Sequence, residues 1–207
     1  LFNLRRMLMN KSFIIKIILL CLVTIKVSAI EKVILFGDSL MAGYGLPNEQ
    51  HLSVVLQNNL SLEGHNIEII NGSVSGSTSA GGLNIAEWTL SEPGIDLMIL
   101  CLGANDMLRG INPKETKNNL EEIIKIAKSK NIKVIIAGMI APTSYGFEYK
   151  KSFDTIFSDL SNKYKLQLIP FLLEGVAQKP EFNLSDGMHP NDQGTIIISN
   201  TLKKAIL

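Results

Sequence analysis

Two stretches at opposite ends of the chain hold residues suited to acyl transfer. In "FGDSLMAGYG", residues 36–45, Ser39 follows an apolar run and precedes a glycine-rich turn. Alone, Gly37-Asp38-Ser39 is ordinary loop chemistry, with the serine as a turn or cap residue. Far along the chain, "DGMHP" sets Asp186 three residues before His189, within reach of its imidazole in one turn of chain. A serine hydroxyl is a weak nucleophile until a base takes its proton, and an imidazole with a free pKa near ~6.5 suits that task. A carboxylate on the second ring nitrogen fixes the tautomer and stabilises the imidazolium. Pro190 adds a bias toward extended backbone at His189.

Acyl transfer also needs donors aimed at the oxyanion of the tetrahedral intermediate. The Ser39 and Gly76 backbone N–H groups and the Asn105 side-chain amide are the candidates, and a glycine at 76 lets the main chain approach a substrate with no Cβ in the way. Each residue also has a plainer role. Gly76 lies in the Ser/Gly-rich "NGSVSGSTSAGG", Asn105 suits a helix N-cap, and Asp186 suits an Asx-turn. Asp38 and Asp106 are assigned to capping or loop bracing. His51 opens a helical stretch and His65 follows the Gly64 turn, so both are read as solvated surface residues. There is no G-x-S-x-G elbow, since Val74 holds the centre of residues 72–76, and no phosphate loop or HExxH. With three histidines in all and one cysteine after residue 29, a transition-metal site is not expected.

The elements that must position these residues alternate in type. Apolar, β-rich runs at 32–36, 67–70, 96–102, 133–139 and 166–170 read as strands, and the middle ones are nearly continuous, as strands buried on both faces should be. Helical stretches lie at about 50–60, 79–90, 113–130, 147–164 and from 191 to the end. In the third, Leu120, Ile123, Ile124 and Ala127 recur at helical spacing before a lysine-rich end. Strand and helix in alternation predict one doubly wound α/β domain, a parallel sheet with helices on both faces, over residues 30–207. Such sheets bind ligands at the carboxyl ends of their strands, where Ser39, Gly76 and Asn105 all fall.

The first 29 residues read differently. Lys11 and Lys16, an apolar run from Ile17 to Ile25 and the small-residue ending Val27-Ser28-Ala29 have the form of a secretory signal peptide. That run is about half of the ~20 residues a membrane span requires, so cleavage near Ala29 with no lasting membrane span is expected. Translation is expected to start at Met7 or Met9. Cys21 follows the bulky Leu20, which argues against a lipoprotein acceptor. Cleavage takes five of the 20 basic residues and none of the 19 acidic ones, leaving a net charge of −4. Such a chain lacks the positive footprint that nucleic acid requires. Of the two cysteines only Cys101 survives, so the exported domain has no internal disulfide. The 46% apolar content suits one globular domain, expected as a monomer in the periplasm or outside the cell.

Four blocks in order, "FGDSLMAGYG", "NGSVSGSTSAGG", "LGANDMLRG" and "DGMHPN", make the chain resemble the SGNH (GDSL-type) hydrolases over nearly its whole mature length. With "APTSYGFEY", the likeness is strongest to the exported bacterial enzymes that act on acyl-CoA thioesters, lysophospholipids and aryl esters. The resemblance implies a flavodoxin-like sheet of five parallel strands, with Ser39 as nucleophile, His189 and Asp186 completing a triad, and Ser39, Gly76 and Asn105 as the oxyanion hole. It implies small acyl ester, thioester or lysophospholipid substrates and neither metal nor cofactor. Leu108, Ile111, Ile140, Tyr145 and Phe147 are the candidates to line an acyl cleft. Two departures bear on substrate choice: Met107 stands where relatives have glycine, and Phe147 and Glu148 stand where they are more basic. Within the family the rival is a carbohydrate O-deacetylase; outside enzymes, it is a lipid-binding envelope protein that keeps the fold without catalysis.

Overall fold

The computed structural model describes residues 30–207, so the expected leader peptide, residues 1–29, lies outside the described residues. Five strands, β1 (Lys32–Gly37), β2 (Glu68–Asn71), β3 (Leu97–Cys101), β4 (Lys133–Ala137) and β5 (Gln167–Ile169), form one sheet in the order β2-β1-β3-β4-β5. Every pairing is parallel. Each central strand is covered on both faces, which is why β1 and β3 tolerate almost no polar side chain and are buried nearly throughout. The edge strands β2 and β5 keep exposed positions.

Among the described residues, seven α-helices accompany the sheet: α1 (Ser39–Ala42), α2 (Leu52–Leu62), α3 (Ser79–Thr89), α4 (Ala104–Leu108), α5 (Pro113–Ser129), α6 (Phe147–Tyr164) and α7 (Asp192–Ile206). Helices α2 and α7 pack together, while α5 packs against both α3 and α6. Local signals set the ends of α5: Pro113 stands in its first turn, Asn112 caps it by accepting from the Lys114 N–H, and Lys128 lies in its last turn. Its apolar stripe, Leu120, Ile123, Ile124 and Ala127, is buried as the spacing predicts. No helix of the described residues is long and apolar enough to cross a membrane.

The chain leaves β1 toward β2 on one side and later returns to place β3 on the other. A reversal of that kind opens a crevice between the carboxyl ends of β1 and β3. Gly37 is in register with Cys101 there, and a Cβ on Gly37 would stand 2.6 Å from the Cys101 carbonyl oxygen. Only glycine allows the two strands to end this close together. Ser39 lies just past the end of β1, after Asp38, and Asn105 lies a few residues past the end of β3, after Gly103 and Ala104.

Candidate active site

Asp38 shapes the start of the first loop. Its Oδ1 accepts from the Leu40 N–H and caps α1, so Ser39 opens a four-residue helix at the edge of the sheet. Ser39 Oγ lies 2.9 Å from His189 Nε2, and His189 Nδ1 lies 2.6 Å from Asp186 Oδ2. Asp186 Oδ1 also accepts the backbone N–H groups of Met188 and His189, at 2.9 and 3.0 Å. The Asx-turn and the imidazole contact are therefore one structure, with the carboxylate bracing its own loop through one oxygen and holding the ring through the other.

Burial pushes the Asp186 carboxyl up, but the bonds from the His189 and Met188 N–H groups and from the His189 ring outweigh it and bring it down to about 2. Asp186 is thus ionised at any working pH and only accepts. Nδ1 must then carry the ring proton, which leaves Nε2 as the acceptor of the Ser39 hydroxyl hydrogen. That polarity is the one a serine nucleophile requires.

The three candidate oxyanion donors stand on the loops after β1, β2 and β3, and hydrogen bonds stitch those loops together. Val74 N–H donates to the Gly37 carbonyl at 3.0 Å. The Arg109 guanidinium, at the end of α4, donates to the Gly76 carbonyl at 3.1 Å and so joins the Gly76 loop to the helix that carries Asn105. Gly76 takes a φ of +76° with open space where a Cβ would stand, and Asn105 is half-buried inside α4 rather than at its cap, which is Gly103. Arg109 had no signal in the sequence beyond its place one turn after Asn105.

Asp106 braces this edge. It is fully buried and accepts from the Ser79 N–H at 2.7 Å, from the Ser79 hydroxyl, and from Thr116 Oγ1 at 3.1 Å, which ties α3, α4 and α5 together. Asp38 is buried too, yet its Oδ2 has no hydrogen-bond partner. Burial pushes this carboxyl up to about 6, against the Leu40 N–H bond and the neighbouring Asn105 amide, which lower it. The fold therefore holds the Asp38 proton more tightly than an unfolded chain, in which the group titrates near 3.8. Stability from this group is full below about pH 4 and is lost as pH rises through about 6. Asp38→Asn keeps the acceptor for Leu40 and removes the titration. Urea unfolding at a series of pH values should show a decline between about pH 4 and pH 7 that is shallower in the variant by on the order of 2–3 kcal/mol. Parallel curves for the two proteins would contradict this account.

Of the five side chains expected along an acyl cleft, Leu108, Ile140 and Phe147 are exposed, and Ile111 and Tyr145 are half-buried. The loops after β3 and β4 that carry them are joined by Tyr149, whose hydroxyl donates to the Ile111 carbonyl and whose ring stands 5.3 Å from that of Tyr145. A cavity of about 660 Å³ opens beside these loops between α5 and α6, lined by Gly110, Pro113, Lys117, Tyr149 and Asp159 among others. Its walls include neither the Ser39-His189-Asp186 chain nor any of the five side chains. Met107, the departure from glycine, is buried in the last turn of α4.

His51 differs from expectation. It is half-buried, with Nε2 3.1 Å from the Leu46 carbonyl oxygen, because the turn after α1 folds back onto the start of α2. Among the described residues no cluster of three or more histidine, cysteine or acidic side chains is placed to hold a metal ion.

A serine, an imidazole and a carboxylate stand in hydrogen-bond sequence at the carboxyl edge of a five-stranded parallel sheet, an arrangement able to activate a serine for acyl transfer. Residues 35–195 match the model of the GDSL-like lipase/acylhydrolase family. The chain belongs to that family, and it is an ester hydrolase. It is 38% identical to an arylesterase of Vibrio mimicus, over 80% of this chain and 82% of the relative. It is 29% identical to thioesterase 1/protease 1/lysophospholipase L1 of Escherichia coli strain K12, over 90% and 88%. Among solved structures, the psychrotrophic esterase EstA from a Pseudoalteromonas species, in a form inhibited by monoethylphosphonate, superposes with a TM-score of 0.81 at 30% identity, covering 85% of this chain and 96% of that one.

Proposed function

We propose that the chain is an exported serine esterase that hydrolyses acyl esters and thioesters, lysophospholipids included, through an acyl-enzyme. The observation that carries this is the unbroken hydrogen-bond sequence from Ser39 Oγ through the His189 ring to Asp186. Ser39 Oγ attacks the acyl carbonyl carbon as its proton passes to His189 Nε2, and the carbonyl oxygen becomes an oxyanion facing the Ser39 and Gly76 N–H groups and the Asn105 amide. Collapse expels the alcohol or thiol, which takes the proton from His189, and the acyl group remains on Ser39. Water then attacks that ester with His189 again as base, releasing the acid and restoring the serine. Asp186 stays ionised throughout and holds the Nδ1 proton.

The names of the relatives, an arylesterase and a thioesterase/lysophospholipase, support ester and thioester substrates. Phosphonate inhibition of the Pseudoalteromonas esterase supports an activated serine. Export rests on residues 1–29, with removal near Ala29 and a periplasmic or extracellular destination. The test pairs a fluorophosphonate probe with p-nitrophenyl esters of increasing acyl length, acyl-CoA and lysophosphatidylcholine. Labelling of Ser39, and kcat/KM that rises beyond the acetyl ester, are the expected results. A sharp preference for acetyl would point instead to a deacetylase, and absence of labelling would overturn the mechanism.

A further inference from the structure

Tyr44 has no part in the mechanism just given, although it lies against its base. Its side chain is 52% exposed, yet its ring centroid stands 4.4 Å from that of His189, with the two planes 39° apart. The backbone puts it there. Gly43 ends α1 in the left-handed region at φ 86°, Gly45 follows at φ 75°, and the Tyr44 N–H between them donates to the Ser39 carbonyl at 3.3 Å. The turn therefore doubles back over the serine instead of continuing outward.

Two further contacts fix that turn. A Cβ on Gly43 would stand 2.5 Å from the His51 ring, and His51 Nε2 meets the Leu46 carbonyl. A Cβ on Gly45 would stand 2.7 Å from Leu184 Cδ1, just before the segment that bears Asp186 and His189. Both glycines are packed close against neighbours, and the loop carrying Ser39 docks on the loop carrying His189 with Tyr44 at the join.

We propose that Tyr44 is a positioning residue for His189, its aromatic face supporting one side of the imidazole and favouring the imidazolium formed in each half-reaction. This role rests on the assignment of Ser39, His189 and Asp186 as the catalytic triad. The bonds at Nδ1 and Nε2 hold the ring by its edge and leave its faces unsupported, so a ring packed on one face restrains its tilt. A π face also carries negative charge density, which attracts a cation more than a neutral ring. The benefit therefore grows as Ser39 gives up its proton, and it belongs to kcat rather than to substrate binding.

The test compares Tyr44→Phe, which keeps the aromatic face, with Tyr44→Leu and Tyr44→Met, which keep apolar bulk without it. Rates on a soluble p-nitrophenyl acyl ester and thermal midpoints are measured for each, with Ser39→Ala alongside. Tyr44→Phe should keep kcat within about twofold, and the other two should lose on the order of 3- to 10-fold in kcat with KM within about twofold. Wild-type kcat in both aliphatic variants, a loss confined to KM, or a loss in Tyr44→Phe equal to theirs would overturn the role. If Ser39→Ala retains turnover, the triad assignment falls and this role with it. If Ser39→Ala is inactive while the aliphatic variants match wild type, only the role of Tyr44 falls.

Discussion

Ser39→Ala is expected to lower kcat for acyl esters by about four orders of magnitude or more, with the melting temperature unchanged within about 2 °C. The substitution removes one oxygen, and with it the hydrogen bond to His189 Nε2. Asp38 still caps α1 through the Leu40 N–H, and the buried residues Leu40 and Met41 still anchor that helix. Under the proposed mechanism the variant keeps its base, its orienting carboxylate and its oxyanion donors but lacks a nucleophile, so the residual rate over water would measure those parts alone. The check is kcat by burst and steady-state kinetics on p-nitrophenyl butyrate, together with loss of fluorophosphonate labelling. Turnover within tenfold of wild type would remove Ser39 from the mechanism.

Asp186→Asn should follow, with a loss in kcat of about 10³- to 10⁴-fold. An asparagine in the same rotamer can still accept the Met188 and His189 backbone N–H groups through its oxygen, so the loop keeps its shape. Its NH₂ would then face Nδ1, where a carboxylate oxygen stood. A donor cannot face an N–H, so the imidazole is driven to carry its proton on Nε2, and it can no longer accept from Ser39. The loss should fall on kcat with little change in KM. Because the wild-type carboxyl is held at about 2, acidification to pH 4 leaves it charged, and the variant isolates what that charge contributes. Less than a tenfold loss would show that Asp186 does not set the tautomer.

Much of the frame was legible because it follows from burial. The run at 96–102 reads as a strand since every residue of β3 is covered on both faces, and the observed strand, Leu97–Cys101, lies inside it. The stripe of α5 is equally plain, being 17 residues long with both of its ends signalled locally. By contrast, α1 and α4 contain four and five residues, too few for any periodicity to register, and they exist because Asp38 and Gly103 start them. Ser39, Gly76 and Asn105 stood out because each follows a strand, and Asp186 with His189 because of their three-residue spacing before the last helix. What joins them was hidden, since it depends on contacts between distant residues: Arg109 with Gly76, His51 with the turn after α1, Tyr44 with His189. The surroundings of the acyl group were the least legible, because the loops after β3 and β4 take their shape from cross-loop bonds such as Tyr149 to Ile111, which no local pattern encodes.

The separation of Ser39 from His189 by 150 residues, at nearly opposite ends of the domain, has a consequence for synthesis. Under the proposed mechanism the nucleophile, Ser39, is made well before its base, His189, which precedes the helix that packs against α2. A chain that stops or is clipped before residue 186 holds a serine without a base, whatever part of the sheet it has formed. Under that mechanism hydrolysis is expected only once the whole domain has been made and closed, and a simple ester assay would double as a measure of complete folding.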